Sequence, residues 1–306
     1  MKAIIYEKYG PPEVLKLTDV EKPVPKDDEI LVKIDTATVT SGDVRLRSSD
    51  FPAIFWLPAR LMFGLFKPKK KILGHELAGI VEEIGKSFTK FKVGDSVFGT
   101  TTMLGTGSYA EYICLPQKWK HGVVALKPKN LSYSEASALP IGAMTAIYLL
   151  EKANLGKEQN VLIYGASGSV GSYAVQIANQ KGATVTGICS ASNFEMVKSF
   201  GAKSLIDYNK DDYSKGNEKF DIIFDAVGKT TKSKAKKVLR NGGAFVSVKM
   251  LTKEKDEHLE LIKDLAEKGE LKLFIDRSFK LGEIVEAHEY VDKGRKRGNV
   301  IIDILK

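Results

Sequence analysis

The stretch Val161–Ser192, VLIYGASGSVGSYAVQIANQKGATVTGICSAS, decides how this chain reads. Val161, Leu162, Ile163 and Tyr164 form an apolar, partly β-branched run of the kind that makes a buried strand. Gly165, Gly168 and Gly171 punctuate a tight turn, and Val175, Ile177 and Ala178 supply the inner face of a helix. Gly182 stops that helix, and Thr184–Cys189 reads as a second strand. Strand, glycine turn, helix and strand within about thirty residues is the βαβ unit that holds dinucleotides. N–H groups at the helix N-terminus face a pyrophosphate there, and glycines let the backbone approach it. Ala166 stands at the first glycine position of G-x-G-x-x-G, with Gly168 and Gly171 at the other two. The candidate cradle is therefore Gly165, Ala166, Ser167, Gly168, Ser169, Val170 and Gly171. The competing reading is a nucleotide-free turn in an ordinary α/β domain.

The end of the second strand bears on which nicotinamide cofactor fits. An Asp or Glu there takes the ribose hydroxyls of NAD. Cys189, Ser190, Ala191, Ser192 and Asn193 offer no carboxylate. Hydroxyls and amides accept a 2′-phosphate that an acid would repel, so these residues favour NADPH, with NADH still compatible.

Outward from this unit, 306 residues suffice for two domains with cores of their own. Apolar residues at 43% and charged residues at 28% describe an ordinary globular protein. The net charge of +9 allows attraction to dinucleotide phosphates, RNA or anionic membrane surfaces. The lysines are spread along the whole chain, which argues against nucleic acid as the partner. Cys114 and Cys189 cannot build a disulfide framework, and the chain opens as a strand at Lys2–Tyr6 without a signal peptide, so a cytoplasmic location is expected. No apolar run reaches membrane-spanning length. The nearest, Phe51–Phe66, is interrupted by Pro52, Pro58 and Arg60.

Up to Pro116 the chain reads as short strands between glycine and proline turns: Ile30–Thr38, Gly79–Ile84, Ser96–Gly99 and Tyr109–Leu115. This spacing suggests a β-rich, barrel-like domain. Asp43, in TVTSGDVRLR, reads either as a helix cap or as a side chain facing a cleft. His75, in Gly74-His75-Glu76, has no second histidine at metal-binding spacing. Leu131–Glu151 carries apolar residues at helical spacing. Phe220–Ala226 reads as a further parallel strand ending at Asp225 and Gly228, the sheet edge where ligands collect. Val238–Val248 reads as a helix end, an Asn241-Gly242-Gly243 turn and a strand. Lys253–Lys268 then reads as a helix, and the tail as a helix from Ile284 followed by a strand at Asn299–Leu305.

These residues carry a resemblance. Tyr9–Leu15 (YGPPEVL), Gly74–Gly85 (GHELAGIVEEIG), Phe91–Gly99 (FKVGDSVFG), Ser108–Tyr112 (SYAEY), Leu139–Leu150 (LPIGAMTAIYLL), the VLIYGASGSVG turn, Asp225–Gly228 and Glu286–Ile302 (EAHEYVDKGRKRGNVII) occur in this order over nearly the whole chain. The chain resembles the medium-chain dehydrogenase/reductase superfamily, in its zinc-independent, zeta-crystallin-like quinone oxidoreductase branch. The resemblance implies an α/β fold with a GroES-like β-rich catalytic domain at 1–120, completed by 270–306. A Rossmann domain with a doubly wound parallel sheet is implied at 121–269. It also implies that nicotinamide and substrate meet in a cleft between the two.

Zinc-dependent relatives bind the metal through a cysteine, the histidine of GHE and a later cysteine or histidine. Those positions are Thr40, His75 and Ile141 here, and Asp95–Cys114 offers one cysteine where such relatives have a four-cysteine lobe. One imidazole does not supply the three protein ligands of a catalytic zinc, so no metal is expected. Without a Lewis acid, alcohol oxidation loses its main charge stabilisation, whereas a quinone or enone spreads the charge by conjugation. The expected chemistry is NADPH-dependent hydride transfer to small hydrophobic quinones or to the C=C bond of α,β-unsaturated carbonyl compounds. Two alternatives stand beside it: a relative of the zinc-type alcohol dehydrogenases, and a non-catalytic NADPH-binding protein with a regulatory or RNA-binding role.

By the same resemblance Thr40, Asp43 and Tyr109 are the catalytic candidates, and Thr145 lies at the nicotinamide side. Ser190, Asn193 and Tyr208 belong at the 2′-phosphate. Ala226, Val227 and Gly228 join the cofactor set, as do Gly298 and Asn299, which also read as a plain basic turn. Phe51–Phe66 reads as a greasy lip for flat acceptors, as core packing or as a membrane-surface contact. After Val248 the chain departs from its family, passing almost directly into the next helix. The family's longer path there often forms a dimer edge strand, so the implied homodimer is weakened.

Overall fold

The computed structural model describes residues 1–305, with the side chains of Ile54 and Phe55 outside the described set; Lys306, in the expected tail, also lies outside it. Contacts divide the chain into two units. One comprises Met1–Pro140, Lys255–Lys263 and Ile275–Lys306; the other comprises Ile141–Glu254 and Asp264–Phe274.

The first unit begins with β1 (Lys2–Ile5) and β2 (Lys16–Asp19), paired antiparallel. The long β3 (Glu29–Thr38) buries seven of its ten residues. Then come α1 (Ser41–Ser48) and α2 (Ala53–Phe63), β4 (Glu76–Ile84), β5 (Ser96–Thr100), β6 (Tyr112–Pro116) and β7 (Val124–Leu126). Strand β4 lies against one edge of β3, and β6 against part of the other. A small helix, α3 (Tyr133–Ser137), packs on β3, β4 and β5. The unit therefore runs to Pro140 rather than to the expected 120. The physical reasons are the pairing of Val97–Gly99 in β5 with Val124–Leu126 in β7, and the packing of α3 on the sheet.

The helical spacing of Leu131–Glu151 belongs to two helices. Pro140 lacks an N–H and disfavours helical backbone at Leu139, so α3 ends and α4 (Pro140–Lys152) starts afresh with the proline at its first position.

In the second unit β8 (Asn160–Tyr164), α5 (Ser169–Gln180) and β9 (Thr184–Cys189) form the expected βαβ unit. Then follow α6 (Phe194–Ser199), β10 (Ser204–Asp207), β11 (Phe220–Asp225), α7 (Lys232–Lys236) and β12 (Leu239–Ser247). All pairings are parallel, in the order β10-β9-β8-β11-β12. That order reverses about β8 and makes a doubly wound sheet. Asn241-Gly242-Gly243 is not a turn before a strand. Phe220 pairs with Leu239 and Ile222 with Ala244, so the tripeptide bulges within β12, with Gly242 at φ +80°. Beyond Ser247 the chain turns through Met250 and enters α8 (Asp256–Glu267), and β12 is the sheet's edge among the described residues.

The chain then supplies the first unit with β13 (Ile275–Lys280), α9 (Ile284–Asp292) and β14 (Asn299–Asp303). Ile301–Asp303 pair antiparallel with Thr36–Thr38 of β3, and β13 joins β14 in parallel. Ile4, Ile34, Leu77, Ile284 and Val300 share one apolar core in this unit, while Leu162, Ile223 and Phe220 belong to a core in the second. Among the described residues no helix is long and apolar enough to cross a membrane.

One polar tie holds the returning segment. Arg47, 2% exposed in α1, donates from Nε to Gly10 O (3.1 Å) and from Nη2 to Asp292 Oδ2 (2.8 Å); its Nη1 lies 3.2 Å from His288 Nδ1. Removing it leaves the buried His288 and the part-buried Gly10 and Asp292 acceptors without this partner, which costs more than the pair itself contributes. Arg47→Ala is expected to lower unfolding free energy by roughly 3 kcal/mol in urea denaturation. A change under about 1 kcal/mol would mean that apolar packing alone holds α9.

Candidate functional site

In the second unit the glycine turn leaves a helix end open. Gly168 is the N-cap of α5, with no side-chain cap, and the first helical bond runs from Ser172 N–H to Gly168 O. The N–H groups of Ser169, Val170 and Gly171 therefore have no acceptor within the helix. Gly165 has φ +83°, and a Cβ there would come within 2.5 Å of Val227. At Gly171 a Cβ would meet Gly165 O at 2.1 Å. The helix thus begins against the strand turn, with its partial positive charge and open donors at the sheet's carboxyl edge.

Ala166 behaves differently from its neighbours. Its side chain is fully buried, and its N–H is spent on Ile188 O at 3.0 Å, so it packs the turn instead of facing a ligand. Ser167, by contrast, is half-buried, and its Oγ accepts from Asn193 Nδ2 (3.2 Å), which also reaches Ser190 Oγ (3.0 Å). Ser190 and Ser192 hydroxyls are 3.0 Å apart. Asn193 Oδ1 is buried without a hydrogen-bond partner among the described residues. This run of hydroxyls and one amide, beside an uncapped helix, fits a phosphorylated nucleoside.

Tyr208 is exposed and, with Tyr164, Ile188, Tyr213 and Lys234, lines a cavity of about 240 Å³ at the ends of β8, β9 and β10. Ala226, Val227 and Gly228 form a half-buried turn after β11. Asp225 holds that turn: Oδ1 accepts from Gly228 N–H (2.9 Å), and Oδ2 from Ser247 Oγ (3.0 Å). Thr145 is half-buried on α4. Gly298 (φ +52°) and Asn299, both buried, belong to the first unit, where they open β14.

The first unit gathers its polar groups around Asp43, which is fully buried. Asp43 is both a cap and a tie. Its Oδ2 accepts from Thr40 N–H (2.9 Å) and Thr40 Oγ1 (2.6 Å), while its own N–H donates to Thr40 Oγ1 (3.1 Å), a capping box at the start of α1. Its Oδ1 accepts from Gly74 N–H (3.0 Å) and lies 2.7 Å from His75 Nδ1. Gly74 has φ +96°, and a Cβ would lie 2.3 Å from Ser108 Oγ, so only glycine lets this turn present its N–H. Burial alone would raise the Asp43 pKa, but the His75 charge and hydrogen bonds from His75 and Thr40 outweigh it and hold the carboxyl well below the usual range.

Tyr109 is fully buried. Its hydroxyl donates to Thr38 O at 3.1 Å, and its ring stands edge-on to His288, with centroids 5.7 Å apart. That position suits an internal brace rather than a donor to substrate. Burial pushes its phenol pKa well above 10.0, and lowers that of His288 to about 3, so both are neutral at ordinary pH.

Three further side chains join the cluster. His75 is 14% exposed at the side chain, and its Nδ1 is turned to Asp43. Half-buried Lys70 donates to Thr101 Oγ1 (3.3 Å), and burial, opposed by Asp43, lowers its pKa to about 8. Half-buried Lys296 donates to Gly298 O (2.8 Å); burial lowers its pKa too, against the pull of Glu76, Asp276 and Asp43. GHE marked His75 in the sequence, but nothing in the pattern separates Lys70 and Lys296 from solvated lysines. Among the described residues, no group of three or more His, Cys, Asp or Glu side chains is placed to hold a metal ion.

Comparison with known proteins follows the two units. Residues 26–128 match the family described as alcohol dehydrogenase GroES-like domain, and 169–274 and 247–302 match models described as zinc-binding dehydrogenase. The chain is 34% identical to 2-methylene-furan-3-one reductase of Solanum lycopersicum, over 99% of this chain and 79% of that relative. That comparison spans 322 positions, more than the chain has residues, so this chain is shorter in places. It is 28% identical to an NADPH-dependent alkenal/one oxidoreductase, chloroplastic, of Arabidopsis thaliana, over 99% and 79%. The structure of a quinone oxidoreductase from Coxiella burnetii superposes with a TM-score of 0.89 at 28% identity, covering 99% of each chain.

Asp43 makes stability depend on acid in a defined direction. Its pKa is depressed on folding, so its contribution is complete above the unfolded value near 3.9 and is lost as pH falls from there toward the folded value. Urea denaturation between pH 6 and pH 2 is expected to show this loss in the parent. Asp43→Asn is expected to be about 2–3 kcal/mol less stable at pH 6, with a flatter acid limb. Equal stability at pH 6 would mean the carboxylate is not what holds α1 to the Gly74 turn.

Proposed function

The chain belongs to the medium-chain dehydrogenase/reductase superfamily, and from that premise we propose an NADPH-dependent reductase of quinones, or of the C=C bond of α,β-unsaturated carbonyl compounds, that works without zinc. The observation that carries the cofactor half is the open N-terminus of α5 beside Ser167, Ser190 and Asn193, with no carboxylate at the end of β9. The NADPH-dependent alkenal/one relative supports the same cofactor.

Ser169, Val170 and Gly171 would hold the pyrophosphate by their N–H groups, and Ser190, Asn193 and Tyr208 the 2′-phosphate end. When bound, NADPH supplies a hydride. The conjugated acceptor then develops negative charge on its carbonyl oxygen, which needs a donor or a cation. Asp43 keeps the His75 ring oriented, and Lys70 brings an ammonium that loses its proton near pH 8, close to the working range of a general acid. Tyr109 braces this arrangement from within the core. Thr40, His75 and Ile141, at the zinc-ligand positions of metal-dependent relatives, do not make a three-ligand set.

The test is oxidation of NADPH and NADH against quinones, enones and simple aldehydes, using chelator-treated protein. Turnover of quinones or enones is expected, with NADPH preferred by kcat/KM. Ser190→Asp is expected to lower kcat/KM for NADPH by on the order of a hundredfold, because a like charge meets the 2′-phosphate. NADPH binding without turnover, or activity only after zinc is restored, would overturn the reading.

Lys70 gives the pH dependence a sign. Its ammonium is present below about 8 and lost above, so kcat is expected to fall as pH rises through that value. Lys70→Met is expected to have lower kcat at pH 7 and no such fall. An unchanged pH profile would remove Lys70 from the reaction.

A further inference from the structure

The segment after α1 faces outward with the wrong chemistry for water. Trp56, Leu57, Leu61 and Met62 of α2 are all exposed, and Leu65 and Phe66 continue the surface; Phe66 is 88% exposed. Leu57 and Leu61 lie one helical turn apart, so they share a face. Large apolar side chains exposed side by side on a single element mark interaction surfaces.

The helix is not loose. Its Phe63 ring stacks on Phe51 at 6.0 Å, and the Arg60 guanidinium lies 3.9 Å over the Tyr9 ring. Arg60 also donates to Leu65 O and to Ser49 Oγ (3.1 Å), and Tyr9 OH donates to Phe63 O (3.0 Å) and Gly64 O (2.9 Å). The polar and aromatic anchors thus lie inward, and aliphatic residues with Trp56 lie outward.

Charge completes the pattern. Between Asp50 and Glu76 the chain carries no acidic residue. Lys67, Lys69 and Lys71 are exposed immediately after Phe66. Lys69 also donates to Leu61 O (3.0 Å), and Lys71 stands 3.8 Å from the exposed Glu7. An eleven-residue helix is about 16 Å long, too short to cross a bilayer but suited to lying in its interface. Trp, Leu and Phe with flanking lysines are the side chains that such helices use.

We propose that α2 and the loop through Lys71 dock this protein on an anionic lipid surface, with Trp56, Leu61 and Phe66 entering the interface and Lys67, Lys69 and Lys71 meeting lipid phosphates. A neutral protein groove would leave the lysines unmatched, and a second copy of this chain would bring like charges together. Docking does not depend on the reductase reading, and binding rather than turnover measures it.

Trp56 and Trp119 are the two tryptophans, so Trp119→Phe leaves Trp56 as the sole reporter. This variant is mixed with phosphatidylcholine vesicles containing 30% phosphatidylglycerol or none. Trp56 emission is expected to shift to the blue on the anionic vesicles, with binding weakened by 0.5 M salt and by omission of the anionic lipid. Leu61→Ser with Phe66→Ser is expected to weaken binding at least tenfold, and Lys67→Gln with Lys71→Gln by about fivefold per lysine. Both pairs are exposed, and unchanged circular dichroism melts confirm that they fold. Equal binding to both vesicle types would overturn the proposal. So would a blue shift that follows protein concentration without vesicles, which marks self-association. Loss of turnover on long enones without any vesicle binding would assign the surface to substrate and overturn it as well.

Discussion

A single buried carboxylate organises the first unit. Asp43 accepts from Thr40 and so starts α1; it accepts from Gly74 and His75 and so ties that helix to the turn before β4. Burying a charge is costly unless donors surround it, and here two backbone N–H groups, a hydroxyl and an imidazole do so. One turn later on the same helix, Arg47 reaches Gly10, His288 and Asp292. Helix α1 is thus a node between the N-terminal strands and a segment that arrives more than two hundred residues later. The nearby Tyr109 and His288 are held neutral by burial.

The second unit solves a different problem with less polar chemistry. Its parallel strands are buried through their middles, as in Val161–Ile163, and the candidate cofactor surface comes from places where backbone hydrogen bonding stops. Gly165 and Gly171 let the α5 N-terminus press against the β8 turn, and the donors left over at Ser169–Gly171 are what a phosphate needs. Asp225, which ends β11 at that same edge, spends its carboxylate on its own turn and on Ser247. Its part is to hold the loop.

The two units differ in the chemistry they carry. The second has open N–H donors and hydroxyls at the start of α5, and the first gathers lysines and an oriented imidazole around Asp43. Helix α2 is apolar and exposed. It carries its aliphatic residues outward on a frame of aromatic and guanidinium contacts.

Local pattern was enough for much of this. The glycine spacing after Val161–Tyr164, the strand periods, the absence of acid after Cys189 and the order of motifs determined the fold class and the cofactor candidates. Each depends on residues near one another in sequence. The tertiary structure decided what depends on distant partners. The sequence left Asp43 open as a cap or a cleft residue; it is a cap whose second oxygen reaches Gly74 and His75. Tyr109 and Ala166 are fully buried, because burial is set by what covers a side chain and not by its motif. Lys70 and Lys296 look like any surface lysine in one dimension. Their depressed pKa values arise from segments that fold over them, and no local spacing records that.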